Sequence, residues 1–180
     1  MRRISVFLLL PLVSFADQWL VYMQKYVGRW VGDFTIHSAA TGYSENFPVE
    51  QRYWIQEDKL HGISVSETDR GMQTATSITY TKEGKLCSEV TRDKETEAYW
   101  GLPHDDGIVW LSVDLARASD YQLREFFTEE AGELWLETEG FDTFIFQEGL
   151  ARIIYRGRMK KVADAASADR ARAKEDTVAE

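Results

Sequence analysis

From Arg29 to Met159 the chain is divided into short segments in which apolar and polar residues alternate, and this period of two constrains the fold more than any other feature. Trp30, Phe34 and Ile36 share one parity of the first segment, while Asp33, Thr35 and His37 take the other. Phe47-Val49-Tyr53-Ile55, Ile63-Val65, Ile78-Tyr80, Leu86-Val90, Val109-Leu111-Val113, Tyr121-Leu123-Phe127, Leu134-Leu136 and Ile153-Tyr155 repeat the pattern. Between them lie Glu57-Asp58-Lys59, Asp69-Arg70-Gly71, Lys82-Glu83-Gly84-Lys85, His104-Asp105-Asp106-Gly107 and Glu129-Glu130-Ala131-Gly132, all of hairpin composition. About ten strands without a sustained helical period exclude alternating strand–helix units and predict an all-β protein.

An antiparallel up-and-down barrel of about 8–10 strands leaves no free edge and can enclose a small ligand. A helix is expected just ahead of it. Trp19, Tyr22, Met23 and Tyr26 fall at i, i+3, i+4 and i+7 within Asp17 to Val27, so one aromatic stripe would cap an open end of the barrel.

The first sixteen residues have the three parts of a secretory signal: cationic Met1-Arg2-Arg3, an apolar run from Ile4 to Phe15, and small residues at Ser14 and Ala16. Cleavage after Ala16 would release a periplasmic or secreted protein beginning at Asp17. The domain boundaries that follow are a signal over 1–16, a barrel over 17–161 and a charged, Ala-rich tail over 162–180. The apolar run is shorter than the roughly 20 residues of a membrane span, so stable insertion is not expected. The formal charge of −9 becomes −11 once Arg2 and Arg3 are removed, which disfavours nucleic acid as a partner. Cys87 is the single cysteine, so no intramolecular disulfide can form and the core must supply the stability. A monomer is expected.

A short helix, then Gly28-Arg29-Trp30 on the first strand, then an antiparallel meander with a late arginine, resembles the lipocalins and the wider calycin superfamily, most nearly the bacterial secreted lipocalin-like domains. The resemblance covers most of Asp17 to Lys161. It implies that Trp30 packs at the closed end of a barrel, that Arg156 or Arg158 covers it, and that the interior holds a small, largely apolar or lipid-like molecule. The disulfides common in secreted lipocalins are absent.

The residues themselves specify no reaction. Gly62-Ile63-Ser64-Val65-Ser66 ends on serine where the sharp turn of an esterase elbow needs glycine. His37, His61 and His104 stand at no metal-ligand spacing, and neither a metal nor a cofactor is called for. Parity, taken with the apolar and aromatic load, predicts a lumen lined by Phe34, Tyr53, Ile78, Tyr80, Trp110 and Phe127, with Glu125 as its polar contact. An unpaired carboxylate in a solid core would cost several kcal/mol, so an inward Glu125 requires a wet lumen, a ligand or a partner. A non-catalytic, exported binding protein is the first expectation. Two alternatives stay open: an isomerase or lyase using Glu125 with a tyrosine such as Tyr80, and an envelope protein that acts through its loops.

Overall fold

Four two-residue hairpins set the register of the sheet. Glu57-Asp58, Glu83-Gly84, Asp93-Lys94 and Ala131-Gly132 all place both central residues at positive φ, between 50° and 79°. That is the backbone twist a two-residue loop needs to join two right-handed strands. Glycine supplies it freely in two of the turns, whereas Glu57-Asp58 and Asp93-Lys94 accept some strain.

The computed structural model describes residues 15–163 apart from 105–106, 118–119 and 147–148. A helix, α1 (Phe15–Tyr26), leads into ten strands: β1 (Gly28–Ser38), β2 (Ser44–Gln56), β3 (Lys59–Thr68), β4 (Gly71–Lys82), β5 (Lys85–Arg92), β6 (Glu95–His104), β7 (Gly107–Ser112), β8 (Tyr121–Glu130), β9 (Glu133–Phe146) and β10 (Gly149–Val162). Each strand pairs antiparallel with its sequence neighbours, and β10 returns to β1 to close the barrel. The all-β antiparallel barrel expected from the alternation is the observed architecture.

Most of the signal expected over 1–16, and all of the tail beyond Ala163, lie outside the described residues. Two boundaries can be compared. The helix starts at Phe15, two residues ahead of the expected Asp17, and Val162 belongs to β10, where it pairs with Arg29. Among the described residues no helix is long and apolar enough to cross a membrane.

The core sits at the helix end. Met23 and Tyr26 of α1 pack among Trp30, Leu60, Leu86, Ile108, Leu136 and Met159, all buried. Trp30 has 0% exposure and donates its Nε1–H to the Tyr26 carbonyl at 2.7 Å. A cation covers it, and that cation is Lys161, with Nζ 5.2 Å from the ring and also bonded to the Lys25 carbonyl. Neither Arg156 nor Arg158 plays the part expected of it. Trp30 pairs directly with Lys161, so on β10 the parity of Gly157, Met159 and Lys161 faces inward and the two arginines face out. Arg158 instead lies 4.1 Å over the Trp135 ring and pairs with Glu130 and Glu137 at 2.6 and 2.9 Å.

Candidate functional site

The two ends of the barrel differ. Near α1 the interior is filled. Toward the other rim, inward-facing Phe34, Ile36, Phe47, Val90, Leu123 and Tyr155 all keep accessible surface although the wall surrounds them. Packing to crystal-like density would bury such side chains, so the barrel interior beyond the helix plug is not packed solid, although Phe34 touches Phe47 and Tyr155 with ring centres 5.8 and 6.1 Å away.

Its walls are unequal. On β3, β4 and β5 small and hydroxylic residues hold many inward positions, among them Gly62, Ser64, Ala75, Ser77 and Ser88, alongside Leu60, Leu86 and Val90. On the facing strands they are aromatic. Glycine brings the rings close to the wall: a Cβ added at Gly62 would meet the Tyr53 ring at 2.7 Å, and one at Gly157 the Phe34 ring at 2.5 Å.

This asymmetry corrects two of the expected lining residues. Ile78 and Tyr80 lie on the outer face, because their strand turns Ser77 and Thr79 inward; Ile78 is 37% exposed, and the Tyr80 hydroxyl bonds Glu89 outside the barrel at 2.7 Å. The Glu125–Tyr80 pair considered for catalysis therefore does not form. Ile63 and Val65 follow the same outward parity. Phe34, Tyr53, Trp110, Glu125 and Phe127 all face inside.

Glu125 sits where plug and lumen meet. It is paired across the sheet with Ile108 and Thr138, both buried. Trp110 Nε1–H donates to its Oε2 at 2.7 Å and the Tyr26 hydroxyl donates to the same oxygen at 3.2 Å. Burial pushes its pKa up from the ordinary carboxylate value, and the two donors pull in the opposite direction. Around it the Tyr26 ring stands 4.9 Å from Phe127 and 5.6 Å from Tyr53 in edge-on contacts, with Trp30 5.8 Å beyond Phe127. Burial raises the phenols of Tyr26 and Tyr53 well above their usual range, so both remain donors.

Glu125→Gln should reveal that burial in its pH dependence. A native carboxyl with a raised pKa holds its proton where the unfolded chain has lost it, so wild-type stability falls as pH rises through this interval, whereas glutamine does not titrate. The variant is expected to gain on wild type in urea midpoint as pH rises above the ordinary carboxylate range. A difference independent of pH would place Glu125 in water.

The rim opposite α1 carries a polar cluster that the sequence reading did not assemble. Arg117, in the β7–β8 connection, reaches Asp142 on β9 through Nη2 at 2.7 and 2.8 Å and Glu97 on β6 through Nη1 at 3.2 Å. Tyr99 donates to Glu97 at 2.6 Å and its ring lies 4.9 Å from Tyr121. Tyr155 completes the group, its phenol pushed up to about 12 chiefly by burial and next by the Asp142 charge. Tyr121 and Tyr155 stand in the alternating segments read from the sequence, but nothing in the spacing around Arg117 marked it. Among the described residues no group of three or more His, Cys, Asp or Glu side chains converges on a point where a metal ion could sit.

No family model matches the sequence, and no curated protein matches it. Among solved structures, the chain is similar to the S-type phycobiliprotein lyase CPES from Guillardia theta, at 9% identity over 80% of this chain and 92% of that one, with a TM-score of 0.46.

Proposed function

We propose that this chain is an exported, lipocalin-like binding protein that holds a small, largely apolar molecule in the lumen of its barrel. The observation that carries the reading is the interior face beyond the plug, where Phe34, Ile36, Phe47, Leu123 and Tyr155 are enclosed by the wall yet keep accessible surface. Apolar side chains held around an open space are a binding site for an apolar ligand, since a ligand removes from water both its own surface and theirs. Export rests on the N-terminal pattern, and intact-mass analysis of protein from the cell envelope tests it by the expected Asp17 terminus.

A neutral apolar fluorophore such as N-phenyl-1-naphthylamine is expected to bind at micromolar concentration, quench tryptophan emission and raise the melting temperature by mass action. The small wall gives the blocking variants. Ala75→Trp and Ser64→Trp should abolish binding by filling the lumen, whereas Ile78→Trp, on the outer face, should leave it unchanged. Equal loss in all three, or in none, would remove the lumen as the binding site.

A further inference from the structure

Glu125 lacks what buried carboxylates ordinarily have. Both of its donors, Trp110 and Tyr26, converge on Oε2, and among the described residues no group bonds Oε1. Glu125 nevertheless keeps part of its surface accessible although the wall encloses it. It therefore borders the open lumen.

Among the described residues no cation forms an ion pair with Glu125, and Lys25 of α1 rests instead over the Tyr22 and Phe127 rings, with Nζ 5.2 and 6.0 Å from their centres. The inward cations are committed elsewhere or distant along the strands. Lys161 lies over Trp30, Arg117 is tied to Asp142 and Glu97, and Arg92 stands at the end of β5 at the far rim. Burial favours the protonated form of Glu125 while the lumen holds no counter-ion, and a cation that reaches its free oxygen favours the carboxylate and completes a buried pair. The surrounding rings of Tyr26, Tyr53 and Phe127 present π faces, which favour a cation. The formal charge of −9 points the same way, drawing cations toward the protein.

Resting on the binding function proposed above, we infer that the ligand is a largely apolar molecule with one cationic nitrogen, an organic amine whose ammonium group enters first and bonds Glu125 Oε1 at the base of the lumen. The body of the ligand then lies between the aromatic wall and the hydroxyl-lined wall. Its other end faces the Arg117 cluster.

Three probes of equal chain length separate the head groups: dodecylamine, dodecanol and dodecanoate, each displacing N-phenyl-1-naphthylamine from the full chain at neutral pH, below its micelle-forming concentration. Dodecylamine should displace the dye at a concentration at least about tenfold lower than dodecanol, with dodecanoate the poorest. In Glu125→Gln the amine-to-alcohol ratio should collapse to about one while dodecanol still binds, which also shows that the variant is folded. A second measurement needs no variant: an ion pair inside the barrel should keep most of its preference between about 20 mM and 500 mM salt, whereas attraction to the acidic surface is screened away. An alcohol that binds as well as the amine, a preference that survives Glu125→Gln, or one that salt abolishes would each overturn the inference and leave lumen binding intact. Failure of the dye itself to bind in the lumen would remove both readings together.

Discussion

Trp30→Ala is expected to lower the stability by about 3–5 kcal/mol, the range for emptying a large aromatic site in a packed core. Three losses combine there. The 0% exposed ring leaves a cavity against Phe127, whose centroid is 5.8 Å away; the Tyr26 carbonyl loses the indole N–H that satisfied it at the end of α1; and Lys161 loses the face over which it rests. The consequence extends to the plug, because Tyr26 also holds Glu125. Trp54 is the control: on the outer face of β2, 39% exposed and stacked on His61, it should cost less than about 1 kcal/mol when replaced by alanine. Urea midpoints of the two variants decide the matter, and comparable losses would mean that the inside and outside of β1 and β2 have been exchanged.

The pattern of alternation revealed the barrel because closure imposes it on every strand, and the resemblance carried by Gly28-Arg29-Trp30 implied a Trp30 packed at the closed end, where the ring is fully buried. What alternation could not reveal is which parity is inside when both faces carry apolar residues. On β3 and β4 the branched and aromatic residues Ile63, Val65, Ile78 and Tyr80 lie outside, since the lumen there needs small side chains opposite the Tyr53 ring, and the rule that apolar residues face in gives the reverse. Likewise the cation over Trp30 is fixed by the register between β1 and β10, a property of two strands separated by most of the chain. Lys161 was at hand in the sequence, but no local feature distinguished it from Arg156 or Arg158. Glu125 was legible as an inward carboxylate from its place between Leu123 and Phe127. Its partners were not, for Tyr26 comes from a different element and Trp110 from the opposite parity to the apolar stripe read on its own strand.

At the rim, the two halves of one ion pair should prove unequal. Arg117 keeps 36% of its side-chain surface exposed against 9% for Asp142, so the two can escape to water to very different degrees. Asp142→Ala frees an arginine that swings into solvent or stays with Glu97, and the loss should be about 1 kcal/mol, near that of a partly exposed pair. Arg117→Ala strands a carboxylate that, among the described residues, keeps the Thr143 backbone N–H as its one hydrogen-bond donor, at 2.8 Å from Oδ1. That should cost about 2–3 kcal/mol, because a buried charge left without its partner loses more than the pair was worth. The double variant removes the stranded group as well as its partner and is expected to be more stable than Arg117→Ala alone, a coupling that urea unfolding of the four proteins measures directly. Equal single losses would mean that Asp142 reaches water, and the β7–β8 connection would then not be closed over the rim by this contact.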